Sequence, residues 1–309
     1  MSIANGLLTY GDVSRKEDVV LNAVEILTAE ENQIMNSLGK TKAIDTVHSF
    51  LVDTLATAGS LAVGMNTDFT LSALTTPTRL TNIVQEVAKA IQISRPQEVV
   101  QHYSGQNETE RQTTKSLKDW GNAVEFDLVR GVLQSGASGT IAKMNGIIVN
   151  ISKSTNTTAH TSGTVFSATI LDALMENNWN NSNGDVATDV YVGSTMRRAI
   201  DNFTQKNNIV VNNATGGTTI VRTVSTYETS MGTISVHKHR YVDISGTDAT
   251  ARVLGIRPEK HKVAYLDMPT IKPLAESGAY TKKAIYGSMT LETRNQDSNF
   301  FASGFLRSA

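Results

Sequence analysis

A chain of 309 residues can hold two ordinary domains or one elaborate one, and its 28 Lys plus Arg against 29 Asp plus Glu leave a formal net charge of −1. That balance gives no global basic field, which disfavours sequence-specific nucleic-acid binding, and the lack of cysteine excludes disulfide scaffolds, thiolate metal sites and cysteine nucleophiles together. Charged residues make up 18% and apolar ones 39%, with Thr, Ser, Asn and Gly filling the difference, so a strand-rich and loop-rich protein is expected. No window approaches the roughly 18 consecutive apolar residues of a membrane span, and MSIANGLLTYGDVSRKED lacks the layout of a signal peptide. The expectation is a protein with no membrane partner, made and kept in the cytosol.

Ser14 and Glu17 have the spacing of a capping box ahead of Val19, Val20, Ala23, Val24 and Leu27, which predicts a short helix. Thr28 and Glu31 repeat the device; Ile34, Met35 and Leu38 supply one helical face, and Gly39 is placed to end it. From Ile44 to about Thr81 the pattern changes to alternation in IDTVHSFLVDTL and then to the small-residue stretch TAGSLAVGMNTDFTLSALTTPT. Two strand-like limbs joined by a tip are predicted, too polar to be core and too long for a loop inside a compact domain. Such an excursion packs on something outside its own subunit, which makes Phe50, Leu51, Leu55, Leu61 and Phe69 candidate interface residues.

Residues 82–103 contain period-2 positions at Ile91, Ile93 and Val99. Helix resumes after the cap spacing of Asn107 and Glu110, with Leu117, Trp120, Val124 and Leu128 on one stripe and Phe126, Val129 and Leu133 on the next. A helix of about 25 residues, near 38 Å, is predicted, closed by Gly136 and Gly139. The stretch MNGIIVNIS reads as strand, and Ser152 to Gly163 as loop. Ile170, Leu171, Leu174 and Met175 predict a helix ending before Asn177; DVATDVYVG is a buried strand; Ser194 caps a helix that turns Met196, Ala199, Ile200 and Phe203 inward. IVVNN, TTIVRTVSTYE and TISVHKHRYV read as consecutive antiparallel strands, broken at Gly216-Gly217 and Met231-Gly232. The tail offers VAYLDM, Pro269, Pro273 and a last alternating strand, AIYGSMTLETRNQ. No repeat of solenoid or propeller length is visible.

Little in the chain points to chemistry. His237 and His239 would share one strand face, with Lys238 and Arg240 opposite, but no further ligand accompanies them and a solvated strand face is the preferred reading. Asp119, Glu125 and Asp127 surround the long helix among Lys118 and Arg130, where local ion pairs suffice. The paired glycines lack phosphate-binding spacing, and no hydrolase or zinc-protease signature occurs. Trp120 and Trp179 read as core or subunit-contact residues, and Arg252, Arg257, Lys260, His261 and Lys262 as a charged surface. No catalytic, cofactor-binding or metal-ligating residue is expected.

The order of capped arm, two-limbed excursion, strand, long helix, mixed middle and late antiparallel strands resembles the tailed-bacteriophage major capsid protein family along nearly the whole chain. The resemblance is carried by ILTAEENQIMNSLGKTKAIDTVHSFLVDTL, by the spine segment ETERQTTKSLKDWGNAVEFDLVRGVL and by the ending YGSMTLETRNQDSNFFASGF. It implies an α+β, HK97-like fold: N-terminal arm 1–44, E-loop 45–85, P-domain strand and spine helix 86–140, A-domain 141–260 and P-domain C-terminal strands 261–309. It also implies a non-enzymatic virion protein, assembled in the host bacterial cytoplasm as pentamers and hexamers of an icosahedral head around double-stranded DNA contacted non-specifically. A separate scaffolding protein, a portal and a decoration protein are the further partners implied. Some members crosslink a loop lysine to a neighbour's asparagine; residues 43–88 contain no lysine, so no such crosslink is expected. The competing readings are an encapsulin-like nanocompartment shell, another virion protein such as a tail-tube or decoration protein, and a hydrolase or transferase.

Overall fold

The computed structural model describes residues 32–55, 59–65, 68, 74, 76–99, 108–137, 139–151, 156–203, 225–244, 248–276 and 278–307. The expected helix after Ser14, the Thr28 and Glu31 cap, Asn107, the segment IVVNN, Gly216-Gly217 and Phe69 lie outside these residues. In chain order the elements are α1 (Gln33–Ser37), β1 (Gly39–Lys42), β2 (Val47–Val52), β3 (Thr78–Ile83), β4 (Gln85–Ser94), α2 (Arg95–Val99) and α3 (Glu108–Arg130). There follow α4 (Ile147–Ile151), β5 (Thr157–Thr164), α5 (Ala168–Asn181), β6 (Asp189–Val192), α6 (Ser194–Phe203), β7 (Thr226–Thr229) and β8 (Gly232–Lys238). The chain ends with β9 (Ala251–Ile256), β10 (His261–Pro273), β11 (Tyr280–Thr293) and β12 (Phe300–Phe305). Helices and sheets are both present, and the α+β expectation holds.

Three sheets organise the described residues. A four-stranded sheet runs β1-β10-β11-β4, a six-stranded one β5-β12-β9-β6-β8-β7, and β2 with β3 forms a separate hairpin. The long helix α3 lies on the first sheet because its stripe is apolar: Leu117, Trp120, Val124 and Leu128 are all buried. Trp120 donates its indole N–H to the carbonyl of Val87 on β4, which satisfies the one polar atom that its burial would otherwise strand. Its ring passes over Gly287 of β11, where a Cβ would come within 3.1 Å of Cζ2. The core around α3 continues into the second sheet, since Tyr191, Leu254, Ile256 and Phe301 pack in one cluster with Val263 and Met289. A second cluster, including Leu171, Met175, Val190, Met196, Ile200 and Val253, fills the space between the six-stranded sheet and helices α5 and α6.

Several expectations are corrected. The long helix stops at Arg130, not at Gly136 or Gly139, because the chain makes a close backbone crossing at the next residue. A Cβ on Gly131 would meet the Asp127 carbonyl at 2.4 Å and that of Met144 at 2.7 Å, and one on Gly146 would meet the Gly131 nitrogen at 2.6 Å. Only glycine fits either side of that crossing. The segment IIVNI is a helical turn and not a strand; Ile147, Asn150 and Ile151 are buried at the spacing of a helix face. The polar stretch Thr157–Thr164 is a strand, held at the sheet edge by pairing with β12. Val99 ends α2 and does not extend a strand, and α5 runs on past Asn177 to Asn181.

The tail does not form one sheet. β11 pairs with β4 and β10, whereas β12 crosses into the six-stranded sheet beside β5 and β9. At the other end, residues 39–42 of the expected arm join the four-stranded sheet, parallel to β10. β7 and β8 are antiparallel as read, but β8 also pairs parallel with β6.

Candidate assembly surface

The hairpin of β2 and β3 pairs apart from the two larger sheets. Its strands pair antiparallel in continuous register from Val47 opposite Ile83 to Val52 opposite Thr78. Alternation places Phe50 half-buried beside His48, their ring centroids 6.0 Å apart, while Leu51 faces out. Beyond the paired region Leu55 is 99% exposed, Leu61 91% and Leu74 94%, and Val63 and Met65 are likewise open. Exposed apolar side chains in such number are what an interaction surface presents. Of the five residues singled out in the sequence, Leu51, Leu55 and Leu61 are exposed, Phe50 is partly covered and Phe69 lies outside the described residues.

Polar contacts tie the base of the hairpin to the body. Asn82 donates to the carbonyls of Leu291 at 2.7 Å and Asn145 at 3.2 Å, and accepts from the Asn145 N–H at 2.9 Å. Opposite it, the His48 Nε2–H donates to Glu292 at 3.2 Å. Burial pushes the Glu292 carboxyl up, but hydrogen bonds from Arg294 and His48 outweigh that and hold it below the ordinary glutamate range. Two residues past the hairpin, Gln85 accepts from the Met144 N–H and donates to Asp127, fixing β4 against the end of α3.

A second anchor holds the start of the described chain. Glu125, on α3, is fully buried and accepts the backbone N–H groups of Ile34 and Met35, each at 2.9 Å, acting as a cap for α1 from another helix. The same carboxylate receives the His239 Nε2–H. The preferred readings of both residues are therefore corrected: His239 is no solvated strand residue, and Glu125 is not served by ion pairs local to its helix. His237 turns instead to Asp189 at 2.9 Å. Arg130 reaches across to Asp248 and to the carbonyls of Tyr241 and Val242.

The basic group in the last third does not form one surface. Arg252 pairs with Asp248, Arg257 and Lys260 share Asp185, and His261 is fully buried between Thr293 and Asn299. Among the described residues no group of three or more His, Asp or Glu is disposed to hold a metal ion, and no helix is long and apolar enough to cross a membrane.

Against known proteins, residues 8–305 match the family model described as SU10 major capsid protein. No curated protein matches in sequence. Among solved structures, the capsid of a native GTA particle has a TM-score of 0.61 at 12% identity, over 90% of this chain and 91% of that one. The capsid of Myoviridae Phage XM1 has a TM-score of 0.58 at 13% identity, over 87% and 90%. The SrpI encapsulin of Synechococcus elongatus PCC 7942, in its holo complex, has a TM-score of 0.57 at 8% identity, over 100% and 94%. These likenesses concern the fold.

Proposed function

Because the chain belongs to the SU10 major capsid protein family, we propose that it closes an icosahedral head of pentamers and hexamers around double-stranded DNA, each copy docking its hairpin on a neighbour. The membership makes it a structural subunit of a phage virion, built from many copies of itself. In this reading residues 1–44 are the arm, 45–85 the extended E-loop, 86–140 the P-domain strand and spine, and 141–260 the A-domain. Residues 300–305 go with the A-domain sheet, and the remainder of 261–309 with the P-domain. A scaffolding protein, a portal and a decoration protein complete the partners, the DNA is contacted without sequence preference, and the subunit has no catalytic role.

The observation that carries the reading is the hairpin itself. Leu55 and Leu61 are almost fully exposed and Leu51 mostly so, and a second copy is the partner that a shell supplies in every position. Obligate interfaces of this kind bury about 2,000 to 5,000 Å². The encapsulin likeness at 8% identity speaks for the shared fold only, and the capsid family match over residues 8–305 favours the phage reading.

Expression of the protein alone and with candidate scaffolding partners, followed by sedimentation and negative-stain imaging, tests this. Closed shells are expected. Uniform monomers under all of these conditions would refute it, and shells that co-purify a folded enzyme in place of DNA would transfer the chain to the nanocompartment class.

A further inference from the structure

We propose that His48 and Asn82 are positioning residues for assembly, a cross-strand pair that sets the angle at which the β2-β3 hairpin leaves the body. The role rests on the reading of the hairpin as a neighbour-binding surface, but the clamp stands on its own geometry.

The two residues lie directly opposite one another in the hairpin register. Directly opposed residues of an antiparallel pair project to the same face, and here both side chains reach the same short piece of β11. Asn82 donates to the Leu291 carbonyl at 2.7 Å; His48 donates to the carboxylate of the next residue, Glu292, at 3.2 Å. Each strand of the hairpin is thus attached separately. The backbone already enters the hairpin from β1 and leaves it into β4; the two side-chain attachments, from opposite strands to successive residues, restrict the twist that those connections still allow.

The partners are themselves held. Glu292 also accepts from Arg294 Nε at 2.6 Å, and Asn145, which exchanges two hydrogen bonds with Asn82, donates its side-chain amide to Asn150. Asn82 is 5% exposed, so its amide has little access to water as an alternative partner. The apolar positions that meet a neighbour lie beyond this point, at Leu51 and onward. A small rotation at the base therefore becomes a large displacement at Leu55.

The native chain has no cysteine, so a label pair can be introduced at Thr54→Cys on the hairpin and Glu259→Cys on the body, both exposed, without background. Spin-label distances are read on the unassembled subunit, and diameters on particles. The parent should give a narrow distance distribution. H48A and N82A should each broaden it at least twofold with the circular-dichroism spectrum retained, and should yield particles of mixed diameter or none. H48Q, whose amide can still donate to Glu292, should restore both readouts. A merely stabilising pair would lower the melting temperature and leave the distance width alone.

Unchanged width in folded H48A and N82A overturns the clamp. If N82A fails to fold, H48A, at a partly exposed site, decides alone. Broadening with unchanged particles overturns the role in assembly. Whether the hairpin binds a neighbour at all is read separately, from L55S and L61S, so the two failures are distinguishable.

Discussion

Glu125 and His239 stand 114 positions apart in the chain, yet the imidazole Nε2 donates to the glutamate Oε1 at 2.7 Å with both side chains buried. The Tyr241 N–H donates to His239 Nδ1, which leaves Nε2 as the ring nitrogen that donates to the glutamate. The carboxylate consequently serves three donors at once, the other two being the backbone N–H groups of Ile34 and Met35. E125A strands all three in the interior and should cost about 3 to 5 kcal/mol, whereas E125Q keeps one carbonyl acceptor and should cost about 1 to 3 kcal/mol. Urea titration of the unassembled subunit, with the slope unchanged between variants, measures both.

The hairpin predicts the opposite balance of effects. Leu55 and Leu61 are 99% and 91% exposed, so L55S and L61S remove almost nothing from the fold of one subunit and should shift its stability by no more than about 0.5 kcal/mol. Where the hairpin docks on a neighbour as proposed, each would put a polar hydroxyl in place of an apolar contact. Truncated anchors commonly cost about 2 kcal/mol or more apiece, and a shell multiplies the loss over every copy. Particle yield by sedimentation should therefore fall at least tenfold, about 1.4 kcal/mol per contact, while the thermal melt of the free subunit stays in place. Wild-type yields from both variants would remove these residues from the interface.

His261 governs a pH effect. Burial drives its pKa down from 6.5 to about 4, against a smaller opposing pull from the Asn299 side chain that accepts its Nε2–H. The sign follows from the protons bound: between those values the unfolded chain binds a proton that the folded chain refuses. Stability is therefore fully present above pH 6.5 and declines as the pH falls towards about 4, by up to about 3 kcal/mol. H261Q, neutral throughout and still able to donate to Asn299, should flatten the decline by about 1.4 kcal/mol per pH unit at most. Parallel denaturant titrations at stepped pH give the difference between the two slopes directly; equal slopes would assign the acid sensitivity elsewhere.

What could be read from the residues, and what could not, divides by distance along the chain. The stripe Leu117, Trp120, Val124 and Leu128 repeats at helical spacing and is buried as read, and alternation in VHSFLV gave β2. IIVNI misled because β-branched residues favour strands, while Gly146, which lets the chain cross Gly131, has no local signature beyond being glycine. Thr157–Thr164 was hidden for the converse reason: a polar segment becomes a strand only because β12 returns to pair with it. The polar run Asn295–Asn299 marks a turn after β11, but nothing short-range says that β12 then pairs in another sheet. The exposed leucines of the hairpin were legible as surplus apolar surface. The residues that aim them, His48, Asn82 and Glu292, were not, since their pairing is written across more than 200 positions, 244 from His48 to Glu292.

The junction of β9 and β12 offers the sharpest packing test. Gly255 is the register partner of Phe300, and a Cβ on it would sit 2.1 Å from Cε1 of that ring, well inside contact distance. Phe300 is buried and belongs to the cluster under α5 and α6, so the ring cannot move aside without displacing its neighbours. G255A should therefore destabilise by about 2 to 3 kcal/mol, the cost of overpacking, although it adds one methyl group to a strand where alanine is otherwise preferred over glycine. F300L alone loses ring packing and should cost about 1 to 3 kcal/mol. In the double variant the smaller side chain makes room for the methyl group, and the two costs should fall short of their sum by at least 1 kcal/mol, a coupling expected of residues in direct contact. Chemical denaturation of the four proteins of the cycle supplies the number, and strict additivity would mean that the strand shifts its backbone instead of compressing the ring.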